Sequence, residues 1–216
     1  EIIRHEIGHT PEILPFAVSS LRFFAFSPDE SLLVLAGNYA TNGNPPESGV
    51  WIIDNENNAA WRVAALDPAD FDLVAPEISV DGRYALLAGE SGTIVILDLV
   101  SHAVVGNLVG SYEARPSWSA DGRQFAYVSD GIDDESTLSV HDPVTHISRV
   151  LVSDSRSIRA IAWSPFDERI ALLRYGSIDV LSASTGLSAL SAPINSVAQE
   201  DLQWIASGRL TSHGDG

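Results

Sequence analysis

The sequence predicts an all-β fold made of repeated four-stranded units. Three observations carry that prediction: a recurring turn motif, short strands that are apolar on both faces, and tight-turn residues between them. The motif is a large apolar or aromatic residue followed by a Ser-x-Asp-type turn, seen as Phe26 in FSPDE, Ile78 in ISVDG, Trp118 in WSADG and Trp163 in WSPFD. A weaker fifth copy begins at Trp204. Successive copies lie 52, 40, 45 and 41 residues apart, which matches the roughly 40 to 45 residues of a four-stranded propeller blade. The long first interval contains ATNGNPPES, between Gly37 and Gly49, a Pro/Gly/Asn-rich insertion suited to a surface loop.

Each copy divides into four strands. The first unit covers about residues 22–66 and the second about 73–109. In the second, LVAPEI is the first strand and the turn Val80-Asp81-Gly82-Arg83 leads into YALLAG. Glu90-Ser91-Gly92 then turns into TIVILDL, and VVGNLV closes the unit. The third unit, about 115–152, repeats this with FAYVS and TLSVHD, and the fourth, about 158–191, with IALLR and SIDVLS. Asp-Gly and Ser-Gly supply the positive φ that tight hairpin connections need. Runs such as IVIL and LLVLAG are apolar at every position, as expected of sheets covered on both sides by neighbouring blades.

Partial units flank these four. Residues 1–7 sit where the last strand of a preceding blade would lie, and residues 203–216 supply two strands of a following one. The expected architecture is therefore a β-propeller of four-stranded antiparallel blades, four complete with partial blades at both ends, in one domain or fragment over 1–216. Of two readings, a closed five-bladed ring or a piece of a larger propeller, the second is favoured, because HGDG reads as the turn after which a third strand is expected.

These residues resemble the WD40 and TolB-type propeller families, whose blades carry a Ser-Pro-Asp-Gly-like turn and often an Asp ending the third strand. Asp54, Asp98 and Asp142 fit that place, and Gly8-His9-Thr10 looks like the Gly-His element that precedes a WD40 blade. Where WD40 repeats have Trp before the Asp, this chain has Ile53, Leu97 and His141. PSWSADGRQFAYVSD, residues 116–130, is closer to the TolB-type repeat. The resemblance implies architecture, and the fold hosts many functions.

Composition narrows the partners. Twelve basic residues, all arginine, stand against 29 acidic ones, a net charge of −17. That balance repels nucleic acid and favours basic protein or peptide partners. No apolar run reaches the length needed to insert in a membrane, cysteine is absent, and the compartment is left open between cytoplasm and export. Other blades of a parent chain are also expected neighbours.

The sequence offers no nucleophile elbow, no paired-histidine zinc helix and no phosphate loop with lysine, so no catalytic residue and no cofactor is expected. A non-catalytic scaffold presenting loops to a protein is the expected function. The alternative is the accessory or gating propeller of a larger hydrolase or peptidase. On the face carrying the second-to-third strand loops and the connections between blades, Tyr39, Tyr112 and Arg156 are the candidate contacts, since Tyr and Arg concentrate binding energy. The acidic run Asp130 to Glu135, with Asp130, Asp133, Asp134 and Glu135, reads as a solvated hairpin tip. Its spacing fails the calcium-loop pattern, so a metal site there is the lesser alternative.

Overall fold

The computed structural model describes residues 3–4, 12–13, 17–40, 45–57, 59–64, 66, 76–89, 91–111, 113–131, 135–154, 157–194, 201–204 and 210–213. Every regular element among them is a β-strand. Strands β1 (Ile3–Arg4) and β2 (Glu12–Ile13) pair with each other. The first blade is β3 (Ala17–Phe26), β4 (Leu32–Ala40), β5 (Glu47–Asp54) and β6 (Ala59–Arg62); the second is β7 (Glu77–Ile78), β8 (Tyr84–Ala88), β9 (Thr93–Asp98) and β10 (Ala103–Val109). The third is β11 (Ser117–Trp118), β12 (Phe125–Asp130), β13 (Ser136–Asp142) and β14 (Ile147–Asp154). The fourth is β15 (Ile158–Trp163), β16 (Arg169–Arg174), β17 (Ser177–Ser182) and β18 (Ser188–Pro193). Strands β19 (Asp201–Trp204) and β20 (Leu210–His213) form a final antiparallel pair. In each blade the strands lie side by side in chain order and antiparallel.

The blades stack face to face, and the two-sided apolar pattern is the reason. Along β8, Tyr84 and Leu86 pack with Trp118, Phe125 and Tyr127 of the third blade, while Ala85 and Leu87 pack with Val34, Ala36, Val50 and Ile52 of the first. Val128, Leu138 and Val140 meet Ile161, Trp163 and Leu172 between the third and fourth blades. Beyond them Ala171, Leu173 and Val180 meet Leu202, Trp204 and Leu210. Each first strand touches the first strand of the next unit, from β3 through β7, β11 and β15 to β19. The fourth strands β14 and β18 lie largely in solvent. First strands inside and fourth strands outside is the radial order of a β-propeller, here with four four-stranded blades and two two-stranded pairs among the described residues.

The recurring turn is a hydrogen-bonded staple. In the second blade Ser79 Oγ donates to Asp81 Oδ1 (2.6 Å), the Arg83 amide donates to the same oxygen (3.1 Å), and the Tyr84 amide donates to Ser79 Oγ (2.9 Å). Ser27 with Asp29 and Ser119 with Asp121 repeat it. The Ser27 hydroxyl, then the Ser31 amide, holds the Asp29 carboxyl below its ordinary pKa, and the Ser119 hydroxyl does the same for Asp121. Gly82 and Gly122 both take φ 71°, while the first blade places Glu30 at φ 59° in the matching position, a conformation that costs a side-chain-bearing residue about 1–2 kcal/mol. In the fourth blade the Asp comes one residue later, and Asp167 pairs with Arg169 (2.6 Å) as well as with the Ser164 hydroxyl. Asp54, Asp98 and Asp142, ending their third strands, each accept hydrogen bonds from the amides two and three residues on.

The first blade differs from the sequence expectation. Its first strand starts at Ala17, not near residue 22, and the insertion expected as a loop from Asn38 to Ser48 is partly strand: β4 runs to Ala40 and β5 starts at Glu47. Tyr39 pairs with Glu47 and with Val18 across the two ladders. The arms of the insertion continue the hairpin, which gives extra residues of β3 a partner to bond.

Candidate functional site

The second-to-third strand hairpins and the connections between blades meet at the same end of the strands. The Ser111 amide donates to the Val128 carbonyl (2.6 Å), the Ile158 amide to Ser136 Oγ (3.2 Å), and Ser157 Oγ to Glu113 Oε2 (3.4 Å). Asp130, Gly131 and Glu135 at the third hairpin are exposed, as is Glu113. Glu135 Oε1 accepts from Ser153 Oγ (2.8 Å), which also contacts Thr137 Oγ1 (3.2 Å). This end is therefore acidic, and part of its polar surface is held in place by hydroxyl bridges.

Of the candidate contacts, Tyr39 is buried at 5% exposure, its ring 4.9 Å from that of Trp51. Desolvation raises the pKa of its phenol. In this chain the ring is packing for the first blade, which leaves it little surface to offer a partner. Tyr112 and Arg156 lie outside the described residues, as do Asp133 and Asp134 of the lesser metal alternative. Among the described residues no three His, Asp or Glu side chains are grouped to hold a metal ion.

A feature that sequence reasoning missed lies between the third and fourth blades. Arg174, ending β16, has a side chain only 2% exposed. Its Nη1 reaches Asp154 Oδ2 of β14 at 3.1 Å and its Nε reaches Asp179 Oδ2 of β17 at 2.9 Å. Ser191 Oγ donates to Asp179 Oδ1 at 2.5 Å. A buried guanidinium needs such partners, since an unpaired one would cost several kcal/mol. The trio lines a cleft of about 320 Å³ together with Val152, Leu181, Ser188 and Ser191. Near Gly186, another lining residue, the blades approach so closely that an added Cβ would come 2.5 Å from the Leu151 carbonyl. Arg149 bonds across the same seam to the carbonyls of Ala183 and Ser184 (2.9 and 3.0 Å).

Two other polar groups occupy interior positions. His141 Nδ1 lies 2.9 Å from Ser148 Oγ, to which Tyr127 also donates (3.1 Å). Burial, and then neighbouring His146, lowers the His141 pKa, against the pull of Asp142. His141 Nε2 is buried with no partner among the described residues, and the Nδ1 bond to Ser148 ties β13 to β14. Glu77, on the inner strand β7, has its carboxyl pushed up to about 7 by desolvation, with Arg115 opposing.

Comparison with solved structures identifies the fold. The chain is similar to the Myceliophteria thermophila Cps50 (Swd1) β-propeller domain, with TM-score 0.66 and 18% identity over 94% of this chain and 65% of that one. It is similar to a chain of the mitotic checkpoint complex, with TM-score 0.62 and 14% identity over 90% of this chain and 56% of that one. It also resembles Porphyromonas gingivalis dipeptidyl peptidase 4, with TM-score 0.60 and 12% identity over 89% of this chain and 36% of that one. The chain thus spans about two thirds or less of the length of each. No family model and no curated protein matches it. At these identities the likeness establishes the propeller and leaves function to the site.

Proposed function

We propose that this chain is a non-catalytic propeller of the WD40 or TolB-like kind that presents one loop-bearing face to a protein partner. The observation that carries the reading is the meeting of hairpins and inter-blade connections at one end, with Glu113, Asp130 and Glu135 exposed or rim-placed there. Rigid blades hold such loops in fixed positions, and a net charge of −17 steers basic surfaces toward them.

The test is affinity purification with the tagged chain and with a charge-reversed version carrying Glu113→Arg, Asp130→Arg and Glu135→Arg. The reading expects defined proteins to co-purify with the first and to be lost from the second at unchanged fold. Identical sets with both would count against it. A second reading, the accessory propeller of a peptidase, draws on the likeness to dipeptidyl peptidase 4. A hydrolase domain encoded beside these blades would favour it over the first.

A further inference from the structure

We infer that Asp130 and Gly131, at the end of β12, form a modification site: Asp130 converts without an enzyme to isoaspartate in the folded chain, while two other Asp-Gly pairs are protected. In the reaction the Gly131 amide nitrogen attacks Asp130 Cγ. Its proton leaves with the carboxyl hydroxyl as water, and a five-membered succinimide closes. Water then opens the ring. Cleavage of the bond to Cγ restores aspartate, and cleavage of the bond to the α-carbonyl leaves the chain running through Cβ and Cγ. One water is lost and one regained, so no oxidant or other co-reactant is needed. A side chain on the residue that supplies the nitrogen obstructs the approach, and glycine has none.

Asp-Gly occurs at 81–82, 121–122 and 130–131 among the described residues, and the first two pairs are clamped. Asp81 and Asp121 each turn a carboxyl oxygen back to the hydroxyl of Ser79 or Ser119 (2.6 and 2.7 Å), and the same oxygen accepts the amide of Arg83 or Arg123. Those donors favour the ionised carboxyl, whereas ring closure proceeds from the protonated one. Gly82 and Gly122 are held at φ 71°, their amides donating to the Ser79 and Ser119 carbonyls. Asp130 lacks that clamp. Its side chain is exposed, and among the described residues no hydrogen bond or ion pair reaches its carboxyl. Gly131 is exposed too. Two contacts hold the pair, Asp130 opposite Ser136 and the Gly131 amide on the Glu135 carbonyl (2.6 Å), and both are at the last rung of the β12–β13 hairpin. Terminal rungs open at far lower cost than the rest of a sheet. Conversion adds a methylene to the main chain and places the free carboxylate on Cα, which alters the end offered to a partner; that consequence rests on the reading above.

The folded protein is kept for several weeks at 37 °C and about pH 6, then cleaved after arginine. Because Arg115 precedes proline, Asp81, Asp121 and Asp130 fall on separate peptides, residues 63–83, 84–123 and 124–149. Asn42-Gly43, which yields the same product, and Asp215-Gly216 lie outside the described residues and on other peptides. Isoaspartate is read on each peptide by methyl transfer from an isoaspartyl methyltransferase. At least about tenfold more is expected on 124–149 than on 63–83 or 84–123, a difference that vanishes when the chain is aged in denaturant. Asp130→Glu, whose longer side chain disfavours ring closure, should remove the signal from 124–149. Ser79→Ala should raise it several-fold on 63–83 alone, and no rise there overturns the clamp as the protecting device. Equal isoaspartate on the three peptides of the folded chain, or none on 124–149 while the denatured chain forms it there, overturns the inference. A signal on 124–149 that survives Asp130→Glu overturns it as well, by assigning the product to another residue. No partner enters the measurement, so its failure leaves the loop-face reading to the purification test.

Discussion

The seam between the second and third blades and the seam between the third and fourth are built at the same repeat positions yet work differently. The first is aromatic: Tyr84, Trp118, Phe125 and Tyr127 fill it, and Trp118 Nε1 donates to the Glu77 carbonyl across it (3.0 Å). The second is aliphatic around Trp163, whose Nε1 is buried without a partner among the described residues. There the cross-seam bond runs instead from the Trp163 amide to Ser117 Oγ (3.0 Å), and an ion trio takes the outer part. Beyond the fourth blade, Trp204 Nε1 again reaches an inner-strand carbonyl, that of Ala162 (3.0 Å). The recurring tryptophan therefore fixes where blades meet, and its neighbours decide whether the seam is dry or opens into a polar cleft.

Arg174→Ala gives the largest expected separation of the two seams. It leaves Asp154 and Asp179 without their buried cation, a loss of about 3–5 kcal/mol. Denaturant unfolding measures it. A cost below about 1 kcal/mol would mean that the second seam does not depend on its ion trio.

Glu77 supplies the next effect, on the first seam. Its carboxyl holds a proton to about 7 in the folded chain but only to its ordinary 4.5 when exposed. Between those values the fold binds more protons than the unfolded chain, so this group's contribution is most favourable below about 4.5 and is lost as pH rises through 7. Glu77→Gln should remove that loss, gaining on the order of 2–3 kcal/mol at pH 8 and much less at pH 5.5. Unfolding midpoints at the two pH values decide it, and a pH-independent difference would place Glu77 in water.

The smallest expected effect compares the tryptophans directly. Both Trp118→Phe and Trp163→Phe lose packing, but only the first strands a carbonyl that had a donor, so it should cost about 1–2 kcal/mol more. Equal losses in parallel thermal melts would mean that the Glu77 bond contributes nothing beyond packing.

Much of the fold was legible because its determinants are local. The Ser-x-Asp staples, the turn glycines Gly82 and Gly122, and the strand-ending Asp54, Asp98 and Asp142 all act within a few residues of themselves. The two-sided apolar strands announced burial on both faces. The Arg174 trio was not legible, since Arg174 reads as a charge at the end of the apolar run IALLR and its partners come from a different blade and a different strand. Tyr39 read as a loop residue because Asn, Gly and Pro follow it. Only the long ladder with Glu47 and the Trp51 ring show it to be interior.

The two-sided strands also bear on folding fidelity. In a sheet with one wet face, slipping a strand by one residue turns its apolar set into solvent, and that penalty enforces register. In β8 and β9 a slip merely exchanges Leu86 and Ile96 for Leu87 and Leu97, one oily set for another. Hydrophobicity therefore polices alignment weakly here, and the task passes to directional polar contacts that form in one alignment: the Ser79 and Ser119 staples, the His141–Ser148 bond and the Arg174 trio. Damage to these few polar contacts would then emerge as chains that collapse with mismatched strands and clump during synthesis, more than as a lower melting point of the finished protein.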